Sequence, residues 1–156
     1  MAEVEVKELD ALTVMSLSFT GSYDQTQDRL DDLMAWMLRA GHPYSGRPMG
    51  LFFDDPEKVD VEELRGEVCL PVEEECEAYD EVERKVLEGA TVAAATYTLS
   101  PDRVKEGYRE IFAWIGENGF AYDAEKPCRE VYHLIHGEVE TPEETVVEIQ
   151  VPVVAL

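Results

Sequence analysis

Hydrophobic and polar positions change period along this chain, and they do so twice in the same order. Val4 and Val6 alternate with acids, and Thr13-Val-Met-Ser-Leu-Ser-Phe19 is β-branched and apolar, so 4–20 reads as extended. The spacing then lengthens. Leu30, Leu33, Met34 and Met37 form one stripe of a helix that Gly41 ends. Two caps compete for its start: Ser22, and Asp24 with Gln27 as a capping box. Two strands follow at 49–53 and 66–72, separated by a loop rich in acids and Pro at 54–63. The second round starts with an extended stretch at 82–98, whose small apolar run suits a buried strand although period alone does not exclude a helix. Ser100 caps the next helix, Pro101 fits its first position, and Asn118-Gly119 ends it. Tyr108, Ile111, Phe112 and Ile115 make its stripe. Strands at 130–134 and 146–154 close the round, with a second acidic loop at 137–144 between them.

The similarity extends to residue identity. With a shift of 78, positions 4–44 fall on 82–122 without a gap, and 13 of the 41 positions are identical, among them Lys7/Lys85, Thr20/Thr98, Trp36/Trp114, Gly41/Gly119 and Tyr44/Tyr122. Chance gives roughly 2 or 3 at ordinary residue usage. Beyond Tyr44 the shift becomes 81, and Glu67-Val-Cys-Leu-Pro71-Val72 meets Glu148-Ile-Gln-Val-Pro152-Val153. The chain is therefore a duplicated strand–helix–strand–strand unit, at about 4–75 and about 82–156, joined by 76–81. The expected architecture is one α+β domain, 1–156, with antiparallel sheet, two main helices and a pseudo-twofold axis.

Charge narrows the function. There are 35 acidic and 13 basic side chains in 156 residues, a net charge of −22. Lys and Arg do not cluster, which argues against direct nucleic-acid binding. Anionic lipid is equally unsuited. No apolar run approaches the ~20 residues of a membrane helix, and the acidic start is unlike a signal peptide, so a cytoplasmic location is expected. Cys69, Cys76 and Cys128 form no Cys-x-x-Cys pair, consistent with a reducing compartment. His133 and His136 stand three apart in a strand and turn, and no Cys/His quartet exists, so neither a metal nor another cofactor is expected. Cys69 lies in an apolar strand, Cys76 among glutamates and Cys128 beside Arg129, an unpromising set for a nucleophile.

Two symmetric pairs stand out. Trp36 and Trp114 sit roughly 120° off their helix stripes. They either wall a cleft between the halves or cover the edges of their own cores. Glu67 and Glu148 point away from the apolar positions of the closing strands, such as Ile149, Val151 and Val153. They are either solvated on a wet sheet face or brought together near the pseudo-axis, where one would hold a raised pKa and bind a cation or act as a base. The tyrosines, including Tyr97 and Tyr132, need partners for their hydroxyls, and an aromatic pocket with one acid at its base recognises lipophilic cations.

Several segments carry a resemblance covering nearly the whole chain. They are Phe19-Thr-Gly-Ser-Tyr23, Leu33-Met-Ala-Trp36 through Gly41, Gly50-Leu-Phe-Phe-Asp-Asp-Pro56 and Glu67-Val-Cys-Leu-Pro-Val72 in the first half. In the second half they are Phe112-Ala-Trp114 through Gly119, Arg129-Glu-Val-Tyr132, Glu143-Glu144 and Glu148-Ile-Gln-Val-Pro-Val153. Together they resemble the GyrI-like small-molecule-binding family, the effector-binding domain of AraC-type and MerR-type regulators. The chain departs from that family at Leu134-Ile-His136-Gly, where Asp-Pro is usual, as in Asp54-Asp-Pro56. The resemblance implies a ligand groove between the repeats, an acid on the last strand that maps to Glu148, and walls at Trp36, Trp114, Tyr132 and Tyr97, with Glu67 as the counterpart of Glu148. No residues remain for a helix-turn-helix, so a stand-alone binding protein is expected, taking amphipathic or cationic small molecules in sensing or sequestration. Two alternatives accompany it. One is a hydrolase of cyclopropane-bearing natural products with Glu148 as base or electrostatic stabiliser, assisted by the hydroxyl of Tyr97 or Tyr132. The other is an interaction protein acting on a regulator or on gyrase.

Overall fold

The computed structural model describes residues 3–73, 81–100, 103–134 and 145–156. Pro101, Cys76, His136, the loop 137–144 and most of the joint 76–81 lie outside the described residues. In chain order the elements are β1 (Glu5–Leu9), β2 (Leu12–Thr20), α1 (Thr26–Ala40), β3 (Met49–Phe52), β4 (Arg65–Pro71), β5 (Val82–Leu87), β6 (Ala90–Leu99), α2 (Val104–Glu117), β7 (Phe120–Tyr122), β8 (Cys128–Leu134) and β9 (Thr145–Ala155). The fold is α+β, with antiparallel sheet and two main helices.

Each extended opening stretch is two strands rather than one. The first breaks after Leu9 and the second after Leu87. The chain forms two compact units, Ala11–Glu88 and Met1–Asp10 with Gly89–Leu156. In the first unit the strand order is β3-β4-β2-β5. In the second it is β1-β6-β9-β8, with the short β7 on the far end of β9. Each repeat's leading strand therefore pairs with the other repeat's second strand: β1 with β6, and β5 with β2. In chain order, Ala11–Glu88 is inserted between β1 and β6.

The helix ends follow the expected chemistry. Ser22, of the two candidate caps, is the one used: its Oγ accepts from the Asp24 N–H at 3.1 Å and opens a short 3-10 turn over Tyr23–Gln25. Gly41, at φ 72°, closes α1 in the left-handed region, and the His42 N–H returns to the Met37 carbonyl at 3.1 Å. Before α2 the Arg103 N–H bonds the Ser100 carbonyl at 2.9 Å. Leu30, Leu33 and Met37 are buried as the stripe predicts, as are Ile111 and Ile115. Phe112 differs. It is 39 % exposed and meets Tyr122 edge-on at 5.3 Å, on the flank of α2.

Candidate functional site

Strand alternation sorts the polar residues of the second unit onto two faces. Val147, Ile149, Val151 and Val153 of β9 pack with Ile111 and Ile115 of α2. Glu130 stands opposite Ile149, and both Tyr132 and Tyr97 stand opposite Val147, so these three share the α2 face. Glu148 is paired with Thr96 and Val131 and points to the other face.

On the α2 face a carboxylate sits between two phenols. The Tyr108 hydroxyl donates to Glu130 Oε2 at 2.6 Å and the Tyr132 hydroxyl to Glu130 Oε1 at 2.9 Å. All three residues are half-buried, so the group is shielded yet within reach of solvent. Desolvation pushes the Glu130 carboxyl up, while the two tyrosine hydrogen bonds pull the other way. The phenols of Tyr108 and Tyr132 are raised well above their ordinary value, first by desolvation and then by the charge of Glu130. Tyr97 lies nearby with its ring against Gly107, where a Cβ would stand 3.1 Å from the ring and 2.8 Å from Ile149 Cδ1. Its hydroxyl faces the Gly107 carbonyl at 3.4 Å, and its pKa is pushed up to about 12, mainly by desolvation with Glu110 adding to it.

On the other face, Lys7 of β1 donates to Glu148 Oε2 at 2.6 Å, and Gln150 Nε2 approaches Oε1 at 3.3 Å. His133 Nε2 lies 4.0 Å from the same Oε1. Glu148 and Gln150 are 8 % and 5 % exposed, whereas Thr96, opposite Glu148 on β6, is exposed. The first unit repeats the arrangement. Lys85 of β5 pairs with Glu67 Oε1, which also accepts from the buried Ser16 hydroxyl at 2.6 Å. Lys7 and Lys85 are repeat counterparts, as are Glu148 and Glu67, so each pair joins one repeat's leading strand to the other's closing strand.

The predicted site residues are divided between the two units. Tyr97, Trp114, Tyr132 and Glu148 belong to the second unit, Trp36 and Glu67 to the first. Desolvation raises the carboxyl of Glu130, and each closing-strand Glu is met by a lysine of its own unit. The expectation that Tyr97 or Tyr132 would assist Glu148 fails, because alternation points both phenols to the α2 face and binds them there. Trp36 is 3 % exposed inside its own unit, with its ring 6.1 Å from that of His42. Trp114 is half-buried and stacked on Phe120 at 5.9 Å. Glu130 and Tyr108 were missed as a pair because they are distant in sequence and each looks ordinary in its own element. The repeat held a signal. Strand register sets Gly50 against Val68 and Glu130 against Ile149, so Glu130 corresponds to Gly50 and Tyr132 to Phe52, one residue off the shift of 81, while the shift of 78 pairs Tyr108 with Leu30. One copy is polar where the other is apolar and buried.

Among the described residues, no group of three or more His, Cys, Asp and Glu is placed to hold a metal ion, and no helix is long and apolar enough to cross a membrane. The family profile of the GyrI-like small molecule binding domain matches residues 2–154. The chain belongs to the GyrI-like family. This GyrI-like domain is 23 % identical over 133 residues to a DNA gyrase inhibitor of Pectobacterium carotovorum subsp. carotovorum (strain PC1), covering 83 % of the chain and 85 % of the relative. Its fold is that of the crystallised EcmrR C-terminal domain, with a TM-score of 0.87 at 17 % identity over 100 % of this chain and 99 % of that one. Against the EcmrR chain in its complex with DNA, the GyrI-like domain spans 58 % of the longer protein, again at a TM-score of 0.87 and 18 % identity over 99 % of this chain. SAV2435 bound to tetraphenylphosphonium has the fold at a TM-score of 0.52 and 14 % identity, over 97 % of this chain and 94 % of that one.

Proposed function

We propose that this GyrI-like domain binds amphipathic organic cations in sensing or sequestration, with Glu130 as the group that meets the positive charge. The observation that carries the reading is the carboxylate held between Tyr108 and Tyr132, half-buried and paired with no Lys, Arg or His among the described residues. A desolvated acid flanked by aromatic rings favours a weakly hydrated cation over a strongly hydrated one. Tyr97 and Trp114 supply apolar surface on the same side of the sheet. Glu148 and Glu67 are already neutralised by lysines, and we assign them to holding β1 and β5. That SAV2435 carries tetraphenylphosphonium supports this choice of ligand class.

The test is calorimetric titration with tetraphenylphosphonium chloride. Glu130→Gln is expected to weaken binding about tenfold, roughly 1.4 kcal/mol. Glu148→Gln, once shown to be folded by circular dichroism, is expected to bind within about twofold of the parent, a few tenths of a kcal/mol. The opposite ranking would return the ligand-binding role to Glu148.

A further inference from the structure

We propose that the Glu130 site exchanges a proton for the ligand's positive charge, so that uptake of the cation is coupled to pH. The inference rests on the binding reading above and adds a regulation to it.

Tyr108 faces Glu130 from α2. Tyr132 and Cys128 flank it on its own strand, two residues to either side. β9 presents only Ile149 and Val147 there. β6 contributes Tyr97, whose own nearby charge is Glu110 of α2. The three phenols, all raised above their ordinary value, are neutral near pH 7. The cations of β1 and β8, Lys7 and Arg129, lie on the opposite face with Glu148 and Gln150. Among the described residues, an ionised carboxylate on the α2 face therefore stands among neutral phenols, a thiol and aliphatic side chains, where charge is costly.

The neutral acid fits the same contacts. Its O–H donates to the Tyr108 oxygen across 2.6 Å, and the Tyr132 hydroxyl donates to the other carboxyl oxygen at 2.9 Å, so both contacts persist without net charge. When a cation arrives, the carboxyl proton leaves to solvent and the Tyr108 hydroxyl turns to donate. The balance is Glu130-COOH + ligand⁺ → Glu130-COO⁻·ligand⁺ + H⁺. The upward push of desolvation on Glu130 agrees with this geometry.

The repeat supports a purpose for the polar set. Its counterparts Gly50, Leu30 and Phe52 form ordinary buried packing, so the fold does not need an acid at this place.

The experiment is titration calorimetry with tetraphenylphosphonium chloride, whose charge does not change with pH. Each titration is run in two buffers of different ionisation enthalpy, from about pH 5 to about pH 8. The buffer dependence counts protons. Release is expected to approach one proton per bound cation at the acidic end and to decline as pH rises. Affinity should climb about tenfold per pH unit where release is complete, then level off. Tyr108→Phe removes a donor to the carboxylate, so the decline should move to higher pH. Glu130→Gln should bind weakly and release none. Binding that depends on Glu130 but shows no buffer dependence overturns the exchange and leaves the binding reading intact. Equal proton release by Glu130→Gln also overturns the exchange. Undiminished affinity of Glu130→Gln where parental release has ceased, or no binding by the parent, removes the binding reading and the exchange together.

Discussion

Gly66 leaves room for one ring and no more. A Cβ there would stand 2.5 Å from Phe19 Cζ, and Phe19 is itself buried against its strand neighbours. The close approach belongs to a small assembly. Gly21 at φ 117° turns the chain after β2, and the Tyr23 hydroxyl then accepts from the Asp54 N–H at 3.1 Å and donates to the Arg65 carbonyl at 2.7 Å. Arg65 in turn grips the Asp54 carboxylate with two nitrogens, at 2.8 and 3.0 Å, and holds its pKa below the usual range. The Phe-x-Gly-x-Tyr segment is therefore an anchor for the loop between β3 and β4. Gly66→Ala is expected to cost about 1–3 kcal/mol by overpacking. Urea denaturation measures it, and Phe19→Leu in the same chain should recover part of the loss. A substitution without cost would mean that the Phe19 ring has space to move. At this scale the sequence was legible where a residue type has one use, as at Gly41, and silent where two ordinary residues meet, as at Tyr108 and Glu130.

Among elements, the two leading strands depend on their lysines to different degrees. Among the described residues, Lys7 alone brings a positive charge to Glu148 Oε2, with Gln150 a longer 3.3 Å contact to Oε1. Glu67 keeps the Ser16 hydroxyl at 2.6 Å when Lys85 is removed. Lys7→Met is therefore expected to cost about 1.5–3 kcal/mol, and Lys85→Met less. Hydrogen exchange should locate the first loss at the amides of β1 and the second at those of β5. The hydrogen bond to Glu148 is the largest influence raising the Lys7 pKa above its ordinary 10.5. A folded-state pKa above the unfolded one stabilises fully below the unfolded value, and that contribution fades as pH rises through the folded one. The stability gap between parent and Lys7→Met should thus be constant near neutrality and shrink above pH 10.5. A gap that persists there would assign the effect to packing of the lysine stem rather than to charge.

Across the whole molecule the net charge of −22 acts on every state of the chain. Like charges are closer together in the folded protein than in the unfolded one, so screening favours folding. Raising NaCl from about 0.05 to about 0.5 M is expected to raise Tm by about 2–4 °C, which corresponds to about 1 kcal/mol for a chain of this size. Scanning calorimetry reads it, and a falling Tm would mean that the Lys–Glu and Arg–Asp pairs outweigh the general repulsion. Strand exchange also belongs to this scale. It places the whole segment Ala11–Glu88 between β1 and the rest of its unit, so the second unit is complete only after both halves of the chain have been made.

The sequence by itself determined the duplication, the strand–helix–strand–strand order, the helix stops and the antiparallel α+β class. Those follow from local periodicity, from the backbone freedom of Gly, and from a repeat long enough to exceed chance. It also determined which face each closing-strand residue takes, since alternation has only two choices. Tertiary structure alone decided the partners. The pairing of β1 with β6 and of β5 with β2 brings Lys7 to Glu148 and Lys85 to Glu67, residues 141 and 18 positions apart. The docking of α2 on the sheet of its unit brings Tyr108 to Glu130, 22 positions away. Hydrogen bonds and desolvation depend on what lies across a strand or under a helix, and that distance in space is not written in the spacing along the chain.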